Sequence, residues 1–197
     1  MNQSPNPWIT APATGTGPDD VPVDLQLPPE PRITAPLLGM VEPDAADRLG
    51  SRTMTGTATL WVTGAHGGAG ESRLAGILDG ARATDHAWPV PDDASGKPAV
   101  LLVCRSDLRG LTAARGALIQ WASGVAPAVD LLGLAVLADA PGKLPKSLRD
   151  FAALVGGGAP RLWMLPWVES WRLGDTTAGP PGRDYQRFVI DIAALTT

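Results

Sequence analysis

Cysteine and histidine are scarce in this chain, and their scarcity excludes several kinds of site. The single cysteine, Cys104, excludes an internal disulfide and a cysteine-rich metal site. Because Cys104 ends an apolar run, we predict that its side chain is a small buried hydrophobe. The two histidines, His66 and His86, form no cluster of metal ligands.

Long hydrophobic runs are also missing. The longest, residues 131–138, contains a glycine and is far shorter than the roughly 20 residues that cross a bilayer as a helix. The N-terminal residues carry no apolar region of a secretory signal. We therefore predict that the protein has no transmembrane segment and is located in the bacterial cytoplasm.

A charge imbalance is present only in the N-terminal part of the chain. Residues 1–56 hold seven acids, three bases and ten of the 20 prolines, whereas residues 57–197 hold equal numbers of acids and bases. Such a proline-rich segment buries too little apolar surface to offset its chain entropy. We predict an acidic disordered tail over residues 1–56, with a recognition arm as the alternative, and one domain over residues 57–197. An acidic tail and a neutral domain argue against bulk binding to nucleic acid.

What the chain does contain is an alternation of apolar runs and helical patterns. The apolar runs predict four buried strands, at residues 59–63, 99–104, 131–138 and 161–165. The helical patterns begin near residues 72, 107, 145, 167 and 184. The proline-containing residues 83–98 are predicted to be a loop. This order is typical of an α/β fold with a mostly parallel sheet of about four strands and flanking helices, with its site at the carboxyl ends of the strands.

Residues 60–78, LWVTGAHGGAGESRLAGIL, place a glycine-rich turn between the first strand and its helix. Glycines in such a turn let successive N–H groups converge on one anion. The sequence therefore predicts a phosphate-binding turn with these candidate nucleotide-binding residues: His66, Gly67, Gly68, Ala69, Gly70, Glu71 and Ser72. Glu71 can also be a favourable acid in the first helical turn, or can occupy the anion site itself.

The turn resembles the deviant Walker A motif, KGGxGK[ST], of the ParA/MinD class of P-loop ATPases. The glycines and the final serine match, but His66 and Glu71 replace both lysines. The resemblance implies a three-layer P-loop fold, ATP as the ligand and a magnesium ion bound by the hydroxyl of Ser72. Replacing a lysine by an acid at ~4 Å from a phosphate exchanges an attraction of about 4 kcal/mol for a repulsion, at an effective dielectric of ~20. We therefore predict that the protein does not hydrolyse ATP.

A weaker resemblance to the same family extends over residues 59–173. It implies that Asp139, after the third strand, contacts the nucleotide base. No apolar run ending in aspartate follows the turn, so the Walker B strand is predicted to be deleted. Asp107, in a DxxG pattern, is either a magnesium-linked residue or an ordinary helix cap.

The arrangement is similar to a group of degenerate ParA/MinD-like proteins of actinobacteria. That similarity implies a non-hydrolysing pseudo-NTPase that acts as an adaptor or regulatory module with a protein partner, and it leaves open whether the protein is a homodimer. Two alternatives remain, an unusual nucleotidase and a non-catalytic dinucleotide-binding module. The second rests on residues 63–70, which fit the TGxxxGxG turn of short-chain dehydrogenases. The catalytic tyrosine–lysine pair of those enzymes is absent, because Val189 stands four residues after the only tyrosine, Tyr185.

Three tryptophans lie close together near the end of the chain. Trp163, Trp167 and Trp171 are four residues apart, but Pro166 prevents one helix from aligning them. They are predicted to pack in the core. The alternative is a partner surface, with Glu169 and Arg172 as its polar rim.

Overall fold

The computed structural model describes residues 35–92, 96–174 and 181–196. The strands are β1 (Gly50–Met54), β2 (Leu60–Gly64), β3 (Ala81–Ala83), β4 (Ala87–Pro91), β5 (Ala99–Arg105), β6 (Asp130–Leu137) and β7 (Leu162–Leu165). The helices are α1 (Glu71–Ala75), α2 (Leu108–Ala122), α3 (Lys146–Gly156), α4 (Glu169–Arg172) and α5 (Arg183–Ala193), and a 3₁₀ turn precedes β1 at Ala45–Asp47. None of these helices has the length and apolar character that a bilayer crossing requires.

Five of these strands form one parallel sheet in the order β3-β2-β5-β6-β7. The four strands predicted from apolar runs are β2, β5, β6 and β7, and the α/β class with a mostly parallel sheet is confirmed. Both faces of this sheet are covered, which explains why its strands read as continuous apolar runs.

Alternate residues of β5 enter two separate hydrophobic clusters. Leu102 and Cys104 pack on the side of α2 and α3, in a cluster that includes Leu111. Leu101 and Val103 pack on the side of α1 and α5, with residues such as Leu74, Tyr185 and Phe188. The sheet is therefore the middle of three layers, as the fold prediction required.

The prediction of a loop over residues 83–98 is wrong. Residues of this segment form β4, which pairs in parallel with β1 as a second sheet of two strands. Trp88 of β4 is fully buried against the α2 side of the main sheet. The prolines in the middle and at the end of β4, Pro89 and Pro91, concealed the strand, because proline is tolerated in strands where few ladder bonds are made.

Part of the predicted tail belongs to this ribbon as well. Residues 1–34 lie outside the described ranges, but residues 50–54 form β1 and bury Met54. The side chain of Gln120 on α2 holds this region in place. It accepts from the Leu49 N–H at 2.9 Å and from Trp88 Nε1 at 3.1 Å, and it donates to the Leu49 carbonyl at 3.0 Å. The boundary expected at residue 56 therefore leaves β1, an ordered strand, on the tail side.

The helix after the glycine turn is shorter than its apolar periodicity predicts. It ends at Ala75, and the chain then turns back to form β3 at the edge of the main sheet, next to β2. A strand thus stands between the turn and β5, but β3 has only three residues, Ala-Arg-Ala, and is not the apolar run ending in aspartate that was predicted to be missing.

Candidate functional site

The sheet order places one topological switch point between β2 and β5. From β2 the chain proceeds to β3 on one side, and the later strands follow on the other side. In open parallel sheets, ligands bind in the crevice outside the carboxyl ends of the strands at such a point. Two segments meet there. They are residues 64–72, here called the glycine loop, and residues 105–107 after β5.

Glycine is required at the end of the glycine loop. Gly70 has a φ of 101°, and a Cβ there would lie 2.7 Å from Leu137 Cδ2 of β6. This close approach brings the loop against the end of β6. The backbone N–H groups of Gly68, Gly70, Glu71 and Ser72 donate no hydrogen bond to any residue in the described ranges. These N–H groups can donate hydrogen bonds to a bound anion.

Glu71 turns its carboxylate back into the glycine loop. Its side chain is only 8% exposed. One carboxylate oxygen accepts the N–H of Gly64 in a short hydrogen bond and the N–H of His86 at 3.2 Å. The other oxygen lies 2.9 Å from His86 Nδ1. Glu71 therefore binds the Gly64 N–H at the start of the glycine loop, a position that the sequence alternative of an acid in the anion site allowed. It also stands in the first turn of α1.

His86 reaches Glu71 from the segment after β3. Both His86 and Asp85 have positive φ angles, 48° and 52°, which non-glycine residues rarely adopt. Asp85 pairs with Arg52 of β1 at 2.6 Å, while the ring and N–H of His86 face Glu71. The turn that carries His86 is thus held on one side by β1 and on the other by the glycine loop.

Arg105 connects the glycine loop to the end of β6. Its Nε donates to the Gly68 carbonyl at 3.2 Å, and its Nη1 donates to the Ala138 carbonyl at 3.1 Å. Its backbone N–H donates to His66 Nε2 at 3.2 Å, and His66 Nδ1 lies 2.9 Å from the Gly67 carbonyl. Both His66 contacts are satisfied by the neutral tautomer that carries its proton on Nδ1. His66 is therefore a structural member of the loop.

The two candidate aspartates lie near each other at the same edge. Asp139 accepts a short hydrogen bond from Ser106 Oγ, and its own N–H donates to that oxygen at 3.1 Å. Asp107 accepts from the Gly110 N–H at 2.6 Å and caps α2, which is the ordinary alternative to a magnesium role. Ser72, the other candidate ligand, is exposed on α1. Within the described residues, no group of three or more His, Cys, Asp or Glu residues is placed to hold a metal ion.

A cleft of about 370 Å³ opens beside the glycine loop, and we call it the arginine cleft. Its charged lining combines three arginines with two aspartates, namely Arg73, Arg105, Arg172, Asp107 and Asp139. Its aromatic lining consists of Trp167, Trp171 and Tyr185. The volume falls within the range of small-molecule sites, which is roughly 300–1,000 Å³.

The family comparison matches residues 58–186 of the chain, a range that contains the glycine loop and every residue of the arginine cleft named above. The chain belongs to DUF6668, a family of unknown function. No curated protein and no solved structure matches the chain.

The three candidate tryptophans of this DUF6668 protein divide between two environments. Trp163 packs edge-on against Phe188 of α5, with ring centroids 5.7 Å apart. Trp167 and Trp171 line the arginine cleft instead. All three are partly buried, so they do not form one continuous exposed surface.

The aromatic wall of the cleft is braced by polar contacts. The Nε1 of Trp167 donates to Glu169 at 2.7 Å. The guanidinium of Arg172 lies over the Trp167 ring, 5.8 Å from its centroid. Trp171 meets Tyr185 edge-on at 5.0 Å, and the hydroxyl of Tyr185 donates to the Pro166 carbonyl at 3.0 Å. Burial raises the pKa of Tyr185, and nearby Arg105 opposes this only in part. Tyr185 is thus a neutral donor that fixes the wall.

Sequence reasoning assigned no role in the candidate site to Arg73, Arg105, His86 or Tyr185. For Arg105 a signal was present, because it stands where a buried parallel strand ends. The others come from α1, a turn after β3 and α5, and their proximity depends on the three-dimensional fold.

Proposed function

We propose that this protein is a non-hydrolysing nucleotide-binding module that regulates or bridges a protein partner in a bacterial cytoplasmic assembly. The observation that carries the proposal is the arginine cleft, which joins cationic and aromatic side chains beside the glycine loop. Among the described residues, the N–H groups of Gly68, Gly70, Glu71 and Ser72 in that loop have no acceptor. Cationic side chains and backbone N–H groups bind a phosphate. Aromatic side chains stack against a nucleobase.

The cleft offers distinct places for the two halves of a nucleotide. Trp167 and Trp171 line the cleft, and aromatic rings are the side chains on which a base can stack. Asp139, which the family resemblance assigns to the base, lines the same cleft and can accept from a base amino or imino group. Arg105 reaches from the cleft to the glycine loop, so its guanidinium is suited to a phosphate between them.

The lack of hydrolysis follows from Glu71. Phosphoryl transfer needs cations that neutralise the terminal phosphates, and here a buried carboxylate occupies the loop instead. A repulsion of about 4 kcal/mol at ~4 Å, for an effective dielectric of ~20, opposes the charge that the reaction develops. Asp107 is engaged as the cap of α2, so its carboxylate is committed to a structural contact.

A dinucleotide is the second candidate ligand, because residues 63–70 fit the TGxxxGxG turn of short-chain dehydrogenases. The order β3-β2-β5-β6-β7 is that of flavodoxin-like doubly wound sheets, whose switch point binds a flavin mononucleotide. The volume of about 370 Å³ is small for a complete dinucleotide, since pockets extend to roughly 1,000 Å³. We therefore assign the cleft to a mononucleotide.

Calorimetric titration with the mono-, di- and triphosphates of adenosine and guanosine and with NAD, with and without magnesium, tests this proposal. We expect a mononucleotide to bind and no phosphate to be released above the buffer background. Failure of adenine and guanine nucleotides of every phosphate number to bind would overturn the nucleotide-binding function. A magnesium-dependent phosphate release that Ser72→Ala abolishes would support the nucleotidase alternative instead.

A further inference from the structure

The two halves of the site carry charges of opposite sign. The arginine cleft presents three arginines, Arg73, Arg105 and Arg172, against two carboxylates, so its excess charge is positive. The carboxylates are those of Asp107 and Asp139, which already accept from the Gly110 N–H and from Ser106 Oγ. The glycine loop holds the carboxylate of Glu71, which is buried and paired with His86. A ligand that spans both halves with an extended chain of phosphates would meet attraction in the cleft and repulsion in the loop.

The cleft is equipped for one phosphate group. Arg105 donates from Nε to the Gly68 carbonyl and from Nη1 to the Ala138 carbonyl. Its Nη2 makes neither of these two bonds and can donate to a ligand. This nitrogen lies only 3.6 Å from the position of a Cβ on Gly70, at the junction of loop and cleft. Arg172 is exposed at the rim, above Trp167, and lines the same cleft as Arg105. Planar guanidinium groups bind a phosphate through paired hydrogen bonds.

The glycine loop holds a carboxylate where further phosphates would have to lie. Glu71 already accepts the N–H of Gly64, the N–H of His86 and a contact from the His86 ring. A second or third phosphate that extended from the cleft into the loop would approach this buried anion, whose charge is little screened by solvent.

We infer that the arginine cleft binds nucleoside monophosphates, and that Glu71 discriminates against nucleoside triphosphates. This inference rests on the proposed nucleotide-binding function and specifies its ligand class. The monophosphate places its base against Trp167 and Trp171 and its phosphate between Arg105 and Arg172. The glycine loop then contributes its free N–H groups at the edge of that phosphate and accommodates no longer chain.

The test compares the affinities of a nucleoside, its monophosphate and its triphosphate, in the adenosine and guanosine series, by calorimetry on the full chain. We expect the monophosphate of one base to bind at least about tenfold more tightly than both its nucleoside and its triphosphate. Glu71→Gln should raise the ratio of the triphosphate affinity to the monophosphate affinity by about tenfold or more.

Two arginine variants test the anchor. Arg172→Gln should lower the monophosphate affinity towards that of the nucleoside, whereas Arg187→Gln, an exposed position of α5 outside the cleft, should not. A triphosphate that binds most tightly to the parent protein, or a nucleoside that matches its monophosphate, would overturn the inference while nucleotide binding stands. If no nucleoside or nucleotide binds at all, the proposed function fails together with the inference.

Discussion

At the scale of single residues, Glu71 dominates the site. Its carboxylate is almost completely buried and is held by one backbone donor of the glycine loop, one of the following turn, and the ring of His86. The sequence indicated the presence of this acid in an anion-binding turn. It could not indicate His86 as the partner, because that pairing requires β3 to fold back beside β2.

Reversing the charge of Glu71 should open the loop to ATP. We expect Glu71→Lys to bind ATP more tightly than the parent, by up to several kcal/mol, because an attraction replaces a repulsion. Glu71→Gln should fall between the two. Calorimetry measures the three affinities, and Glu42→Lys, the same charge change at an exposed position outside the cleft, serves as the control. If neither Glu71 variant binds ATP better than the parent, the loop is not a phosphate site.

Cys104 provides a pH-dependent test of the core. Burial, with a smaller contribution from Asp107, raises the pKa of its thiol from 9.0 to about 12. In the unfolded chain the thiol loses its proton first, so the unfolded state binds fewer protons over that pH range. The stabilising contribution is therefore complete below about pH 9 and is lost as the pH rises towards about 12.

We accordingly expect the free energy of unfolding to fall more steeply in the parent than in Cys104→Ala at alkaline pH. Urea unfolding at about pH 8 and about pH 10.5 measures the two slopes. The raised pKa of Tyr185 leaves a residual slope of the same sign in both proteins. Identical slopes for parent and variant would show that the Cys104 thiol is accessible to solvent.

At the scale of elements, the strands marked by a local sequence pattern were predicted, and the strands that depend on contacts with distant residues were not. The strands β2, β5, β6 and β7 were predictable because each is a continuous apolar run, which the sequence displays directly. The strands β1 and β4 were not, since β1 is largely exposed and β4 contains prolines. Their pairing also joins Gly50 to Ala87, two residues far apart in the chain. No periodicity records such a contact.

Gln120 is the side chain that connects β1 and β4 to α2. Gln120→Ala should lower the free energy of unfolding by about 1–3 kcal/mol, because the Leu49 backbone groups and Trp88 Nε1 lose their buried partner. The melting temperature should fall by about 2–4 °C for each kcal/mol. Thermal unfolding followed by circular dichroism measures the change.

The matched control for this variant is Gln186→Ala, at an exposed position of α5. Its melting temperature should stay near that of the parent. An unchanged melting temperature for Gln120→Ala would indicate that the β1–β4 ribbon contributes nothing to the stability of the domain, and that the segment expected to be a tail behaves as one.

At the scale of the whole molecule, the order of strands in the sheet assembles the site. Parallel strands deliver the glycine loop, the residues after β5, Asp139 and Trp167 to one edge, and this convergence was predictable from the alternation of strands and helices. The composition of the cleft was not predictable, because Arg73, Arg105 and Arg172 come from three separate elements or loops. The central claim is that this edge binds a nucleotide without hydrolysing it.

A nuclear magnetic resonance titration of the full chain with the mono-, di- and triphosphates of adenosine and guanosine tests the binding part of that claim most directly. The account predicts that one of them shifts the backbone amide signals of Gly70, Arg105 and Asp139 and the indole signals of Trp167 and Trp171, with the signals of β1 unchanged. Shifts confined to residues outside the glycine loop and the arginine cleft, or no shifts at about 1 mM ligand, which corresponds to only about 4 kcal/mol of binding free energy, would contradict it.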